Sequence, residues 1–527
     1  MLRLNVDCLV LIFDELQDKE SLYSCLLVNR EWCRLVVPIL WKNYSWCNVD
    51  EFNFFNTILS WLSTSSKKIL SDNDIKLPST TLLKPPLFNY ISFCRFPETE
   101  IINRMIEMVL EKQNDNNKRN ILEQEIYKLF ISQCKNVKEF VWRTSQPLSL
   151  FPGASKCFSQ LYRLTIDLDY INSNSLNEMA KICKDLNILS INNCSQDFPG
   201  LISLIDAQRN LNFVTICNNS NNINNNKKNC EELSKALTRK GNTINYLHLD
   251  SVNTIIPPSF LTSLVNLTWI LVYNDEQYED LEKIKEFQKY LAISEYPDLR
   301  SLNITGLLCF KELSMLIEKT KGNISRIYIY TINIANRAAT NTGMLIKSIA
   351  KNCPKIKFLR TYLEPEDFIH VKSLLLNCRN LEDISFDNIN FIINENDDDV
   401  GDELLNILTK FSPKSLTHIT ISGSWKYSLD SFERFFASYR KKSLLHFYIE
   451  YHYDKYYITE YHRMFIKMKG FMMDLDLYVV PGFMNIVIVT FKARSAPGPS
   501  KATRSSNITP KSFREILENE GEYIFVF

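Results

Sequence analysis

From residue 137 to residue 449 one pattern returns twelve times: an apolar residue, two further residues, a second apolar residue, one residue, and a third apolar residue. The copies open at Val137, Leu161, Leu186, Leu211, Ile244, Leu267, Leu299, Ile324, Ile356, Leu381, Leu416 and Leu444, 23 to 35 residues apart, with Thr361 in the third apolar place of one copy. A chain with 45% hydrophobic residues produces single triplets by chance, so the weight rests on two regularities around them. The residue just before the triplet is polar in all twelve copies and Asn in five. In four copies a cysteine three positions earlier closes a stripe spaced i, i+3, i+4, i+7: Tyr127-Phe130-Ile131-Cys134, Leu176-Met179-Ala180-Cys183, Ile346-Ile349-Ala350-Cys353 and Val371-Leu374-Leu375-Cys378. Such a stripe is one face of a helix, and the last two triplet positions, two apart, are one face of a short strand. Each unit therefore reads as a helix followed by a strand.

Ordering one unit of about 25 residues costs on the order of 35 kcal/mol of conformational entropy at ~1.5 kcal/mol per residue. Its six or seven apolar side chains return about 10 to 20 kcal/mol. A lone unit cannot fold, and stacking is what makes the array stable, because neighbours bury each other's flanks and pair the backbones of parallel strands. The long spacings coincide with polar inserts at residues 219–229 and 394–400, which read as solvated loops. Phe88-Ile91-Phe93 reads as a further, irregular first repeat.

Lys plus Arg number 61 and Asp plus Glu 60, a net charge of +1 that offers no field for nucleic acid or an anionic membrane. The fourteen cysteines contain no CxxC pair, and the six histidines lie mostly in the last third. No metal site, cofactor or disulfide framework is expected, and a reducing compartment, cytoplasmic or nuclear, fits. The cysteines that close the helical stripes read as small apolar side chains packed in the last helical turn. Residues 1–16 carry too short an apolar run and too much acid for a signal peptide, and the stretch from Tyr478 to Phe491 is broken by Pro481 and Gly482. Motifs for a nucleophile elbow, zinc protease, phosphate loop or dinucleotide site are missing from the sequence, so no catalytic residue is assigned and the chain is not expected to be an enzyme.

At the amino terminus Leu9, Ile12, Phe13 and Leu16 recur at helical spacing and predict a helix over residues 6–17. Asp18 and Ser21 can cap a second helix, and a third runs from about Asn29 to Val36, closed by Pro38. Three helices in about forty residues cannot hide this many aliphatic and aromatic side chains, and the surplus implies a partner or a neighbouring domain.

Residues 4 to 41, "LNVDCLVLIFDEL" followed by "DKESLYSCLLVNREWCRLVVPILW", resemble an F-box, with Ile12-Phe13, Trp32 and Leu40-Trp41 in register. Asn5 stands where the family usually has Pro, which puts the strength of the first turn in question. The resemblance implies docking to the Skp-family adaptor of a Skp-cullin-F-box ubiquitin ligase, and through it to cullin. The candidate docking or packing residues are Leu9, Ile12, Phe13, Leu16, Leu26, Trp32, Leu40 and Trp41. Residues 121–450 resemble, more loosely, leucine-rich repeats, in which the Asn or Cys expected after the strand is clear only at Cys194.

The expected architecture is α/β: an F-box at 1–45, a linker and irregular cap at 46–120, a leucine-rich-repeat-like solenoid with strands concave and helices convex, a degenerate cap at 451–492 and a flexible tail at 493–527. Triplet offsets two, four and six should project onto the concave sheet face. Tyr246, Trp269, Tyr273, Arg326, Tyr328, Tyr330, Arg360 and Tyr362 fall there, side-chain types enriched in protein hot spots, beside the short Ser301, Asn303 and Thr305. Two readings stay open for this band. It is a target-binding surface whose arginines favour an acidic or phosphorylated segment, or aromatic residues that simply suit strands and cover one another. The expected function is substrate receptor of the ligase, for an unknown protein and for neither nucleic acid nor membrane. The alternative is a non-degradative scaffold with the F-box-like module as an amino-terminal cap.

Overall fold

The structure, a computed structural model, describes residues 5–16, 18–42, 51–78, 86–93, 95–111, 115–218, 229–250, 256–274, 281–307, 309–330, 341–387, 400–422, 425, 427–439 and 446–450, and the strands at 475–479 and 486–491. The inserts expected at 219–229 and 394–400 fall almost wholly outside these residues, as does the tail at 493–527.

Asn5 takes the N-cap of helix α1 (Val6–Glu15), its side chain accepting the Asp7 amide at 3.4 Å, so the residue that replaces the expected proline caps the helix instead. Asp18 caps α2 (Lys19–Leu26) through the Ser21 amide at 2.7 Å. Pro38 lies inside α3 (Arg30–Lys42) and does not close it as the sequence reading expects. It removes one helical donor, but Val36, Val37 and Ile39 around it are buried, and their packing carries the helix on to Lys42.

Four helices follow: α4 (Glu51–Leu59), α5 (Thr64–Asp72), α6 (Thr99–Leu110) and α7 (Asn116–Gln133). The expected repeat at Phe88-Ile91-Phe93 is a 3-10 turn, Tyr90–Ser92, with no strand. Ile91 is still buried in the core that runs on into the repeats.

The strands are β1 (Glu139–Trp142), β2 (Arg163–Asp167), β3 (Ile188–Asn192), β4 (Phe213–Cys217), β5 (Tyr246–Asp250) and β6 (Trp269–Tyr273). They continue as β7 (Ser301–Thr305), β8 (Arg326–Tyr330), β9 (Phe358–Tyr362), β10 (Asp383–Asp387), β11 (His418–Ser422) and β12 (His446–Glu450). Every strand starts two residues after a triplet opens, and all twelve lie parallel in chain order. The carbonyl just before each of β1 to β10 accepts two amides, one from the first residue of the next strand and one from the residue ahead of it, as Asn187 does from Asn212 and Phe213, both at 2.9 Å. Two further strands, β13 (Leu475–Val479) and β14 (Ile486–Phe491), finish the sheet, β14 running antiparallel to β12 and thereby pairing its edge.

Helices line the other face: α8 (Ala154–Phe158), α9 (Ser173–Ile182), α10 (Pro199–Ala207), α11 (Glu231–Arg239), α12 (Leu281–Ile293), α13 (Phe310–Glu318), α14 (Thr342–Asn352), α15 (Phe368–Asn377), α16 (Val400–Phe411) and α17 (Leu429–Tyr439). The two shortest spacings hold short helices. The 24 residues from Val137 to Leu161 hold the five-residue α8, and the described residues among the 23 from Ile244 to Leu267 hold only a 3-10 helix, Pro258–Ser263. Cys134, Cys183, Cys353 and Cys378 are all buried C-cap residues, donating their backbone N–H four residues back. Burial pushes the Cys183 and Cys378 thiols up to about 12 and holds them protonated. The twelve described cysteines outside residues 43–50 and 94 are all free thiols.

The second and fourth residues of β1 to β11 form two buried stripes that are apolar except at Thr361. That side chain is fully buried, and its hydroxyl has no hydrogen-bond partner. An unmet buried hydroxyl costs about 1 to 3 kcal/mol. Thr361→Val should therefore raise stability by about 1 kcal/mol, read as a higher urea midpoint; an unchanged or lower midpoint refutes this.

Candidate functional site

The first, third and fifth residues of the strands turn away from the helices, and the alternating burial of β5, exposed side half-open and core side closed, is typical of the array. Parallel pairing aligns these positions in rows across the sheet. In the first row the rings of Phe213, Tyr246 and Trp269 stack, with centroids 5.2 and 6.2 Å apart, and Trp269 keeps 43% exposure. Across β7, Arg326 lies over the Phe358 ring at 4.7 Å. Tyr273, Tyr328 and Tyr330 are half-buried on the same face. Between these two groups Asn303 and Thr305 are half-open, whereas Ser301 is buried, so the low strip across β7 is closed at its first position.

Two residues of the expected target-binding set behave differently. Tyr362 is buried in the core and meets Phe310 edge to face at 5.9 Å. The fifth row is closed from β9 to β11, since Asp387 and Ser422 are buried beside it, with Trp425 donating to the Ser422 carbonyl at 3.0 Å. Arg360 is already paired: its Nε donates to Asp387 Oδ2 at 2.9 Å and its Nη2 to Oδ1 at 3.4 Å. Its guanidinium also lies 4.5 and 5.4 Å from the Tyr330 and Tyr328 rings. The acidic partner anticipated from outside is thus supplied by the next strand, and Arg326 is the arginine of the pair left exposed.

In the amino-terminal module Leu9, Phe13, Leu22, Val36 and Ile39 make a small core separate from that of the repeats, with Leu16, Leu26, Trp32 and Leu40 packed against it. Phe13 and Trp32 meet edge to face at 5.0 Å. Trp41 belongs to the other core, stacked on Phe54 at 4.9 Å and Tyr90 at 4.3 Å, and it joins α3 to the repeats. Of the eight candidate docking residues, Ile12 is the exposed one, at 46%. The expected docking set does not include its apolar companions Leu11, Tyr23, Leu27 and Val28, all at least half exposed. Their signal was the surplus of apolar residues at positions that the helical period leaves outside.

No family model matches the chain, and no curated protein matches it.

One group among the described residues could hold a metal ion, where none was expected: Cys217 on β4 with His248 and Asp250 on β5. Their ligand atoms all lie within 4.8 Å of one another. Burial, and after it the Asp250 carboxylate, pushes the Cys217 thiol up to about 11, while burial lowers the pKa of His248 and keeps its ring neutral. Cys217 also borders a polar cleft of about 480 Å³, with Glu100, Arg143, Asp167, Tyr170 and Asn193. No described helix is long and apolar enough to cross a membrane.

Proposed function

We propose that this chain is a protein-binding receptor, the substrate-recognition subunit of a Skp-cullin-F-box ubiquitin ligase acting in the cytoplasm or nucleus. The carrying observation is a division of labour. A separate three-helix module exposes Leu11, Ile12, Leu27 and Val28, while a long parallel sheet presents a row of aromatic side chains on its open face. The register of residues 4–41 with the F-box supports the Skp-family adaptor as the partner of the first surface. The second surface takes a protein target, for which the chain supplies proximity and orientation and other subunits supply the chemistry. Mixing the full chain with a purified Skp-family adaptor should yield a one-to-one complex that survives gel filtration; separate elution overturns the reading.

Trp41 favours the second reading, a scaffold in which the module is a cap, because its stacking on Phe54 and Tyr90 ties α3 into the repeat core. A cap leaves α1 and α2 no reason to keep apolar side chains in water, and adaptor binding separates the two readings.

On the open face, Trp269→Ala and Tyr328→Ala should each weaken target capture by about 2 kcal/mol if they are hot spots. Adaptor binding should not change. Unaltered capture by both variants, quantified by mass spectrometry after proteasome inhibition, would reduce the aromatic row to sheet packing.

A further inference from the structure

We propose that Cys217, His248 and Asp250 form a zinc site on the open face of the sheet, with one coordination position left for a donor from outside this set. The site follows from register. Cys217 and Asp250 are direct partners across β4 and β5. His248, two residues before Asp250 on the same strand, shares its face. A strand pair thus converges a thiol, an imidazole and a carboxylate, although the cysteine and the histidine are 31 residues apart in sequence.

Zinc bonds of about 2.0 to 2.3 Å to these donors set tetrahedral ligand separations of about 3.4 to 3.6 Å. The present spread, up to 4.8 Å, closes by rotation of half-buried side chains through about an ångström. A thiol and an imidazole together select zinc over magnesium or calcium, which prefer sets of oxygens. On binding, the Cys217 thiol proton passes to solvent and the thiolate bonds the metal. Histidine coordinates through a neutral ring nitrogen.

Three protein ligands leave a fourth position, the arrangement of zinc sites that exchange a ligand. Cys217 stands on the border of the polar cleft, so a donor entering there has a path to the metal. Next in the chain, Asn218 has both side-chain polar atoms buried without a hydrogen-bond partner, which leaves this end of β4 short of polar partners. In the free protein the fourth ligand is water, and a histidine, cysteine or carboxylate of a bound protein can replace it. The zinc site itself does not depend on the receptor reading, since it is tested without target or adaptor.

The test uses the untagged full chain, stripped of metal under a phosphine reductant. Zinc titrated against a chromophoric chelator should bind at one equivalent, and cobalt should give a near-ultraviolet thiolate charge-transfer band. Cys217→Ser and His248→Ala should remove that band and weaken zinc binding by at least ~100-fold, on the order of the upper range seen when even outer partners of a metal site are lost. A second measurement needs no variant. Zinc should slow alkylation of Cys217, followed by mass spectrometry of its peptide, and leave the half-buried Cys33 in the amino-terminal module unchanged. A band that survives in Cys217→Ser, absence of stoichiometric binding, or an alkylation rate of Cys217 indifferent to zinc would each overturn the site.

Discussion

Arg360→Ala is expected to destabilise the carboxy-terminal repeats by about 3 kcal/mol, the low end of what breaking a buried ion pair costs. The cost comes from what stays behind. The Asp387 side chain keeps 3% exposure, and without the guanidinium its carboxylate sits on β10 with its principal charge partner gone. The low end applies because the Arg360 side chain retains 24% exposure, so water already shares part of its field. The two tyrosine rings beneath the guanidinium lose a cation contact as well. Urea unfolding of the full chain measures the loss, and Arg360→Ala with Asp387→Ala identifies its cause. If the orphaned carboxylate dominates, the double variant recovers a large part of the stability; a double variant no better than the single one assigns the loss to ring packing. Any effect of Arg360 on target capture has to be read against this background, and Arg326 is the cleaner probe of an acidic target segment.

The repeat array was legible because its signal is local. The triplet fixes strand position and facing within six residues, and the helical stripe closed by Cys134 or Cys378 fixes the element before it. All twelve strands accordingly start at the same offset. What escaped was whatever depends on a contact with a residue far along the chain. Whether Arg360 is free is decided by Asp387, 27 residues on, and whether Tyr362 is exposed is decided by Phe310, 52 residues back. The Cys217, His248 and Asp250 group has no sequence spacing to recognise, since strand register assembles it. Trp41 shows the same limit: in sequence it ends the amino-terminal pattern, and only Phe54 and Tyr90 reveal that it serves the junction. Pro38 was misread for a different reason. Its cost to a helix is a local fact, and the burial of Val36, Val37 and Ile39 that outweighs it is not.

The amino-terminal module yields the sharpest functional result. Ile12→Asp with Leu27→Asp is expected to weaken adaptor binding by at least ~100-fold, about 2.8 kcal/mol, while circular dichroism and the melting curve of the full chain stay as they were. Both parts of that expectation follow from exposure. Ile12 and Leu27 are 46% and 88% exposed, so a carboxylate at either place meets water in the free protein and disturbs no packing. In a docked complex the same carboxylate would lose its water without gaining a partner, and an unpaired charge is what an apolar interface tolerates least. Phe13→Asp and Trp41→Ala, the substitutions that sequence register alone suggests, test something else. Phe13 is 1% exposed in a core of five buried side chains, so its replacement unfolds the module and removes binding for a trivial reason. Trp41→Ala loosens the junction with Phe54 and Tyr90, and adaptor binding that survives it would mean the module docks without help from the repeats. Unchanged affinity in the Ile12, Leu27 double variant would take the exposed apolar side chains out of the docking surface. Joined to a failure of the unmodified chain to bind the adaptor at all, it would leave α1 to α3 as a cap on the repeats.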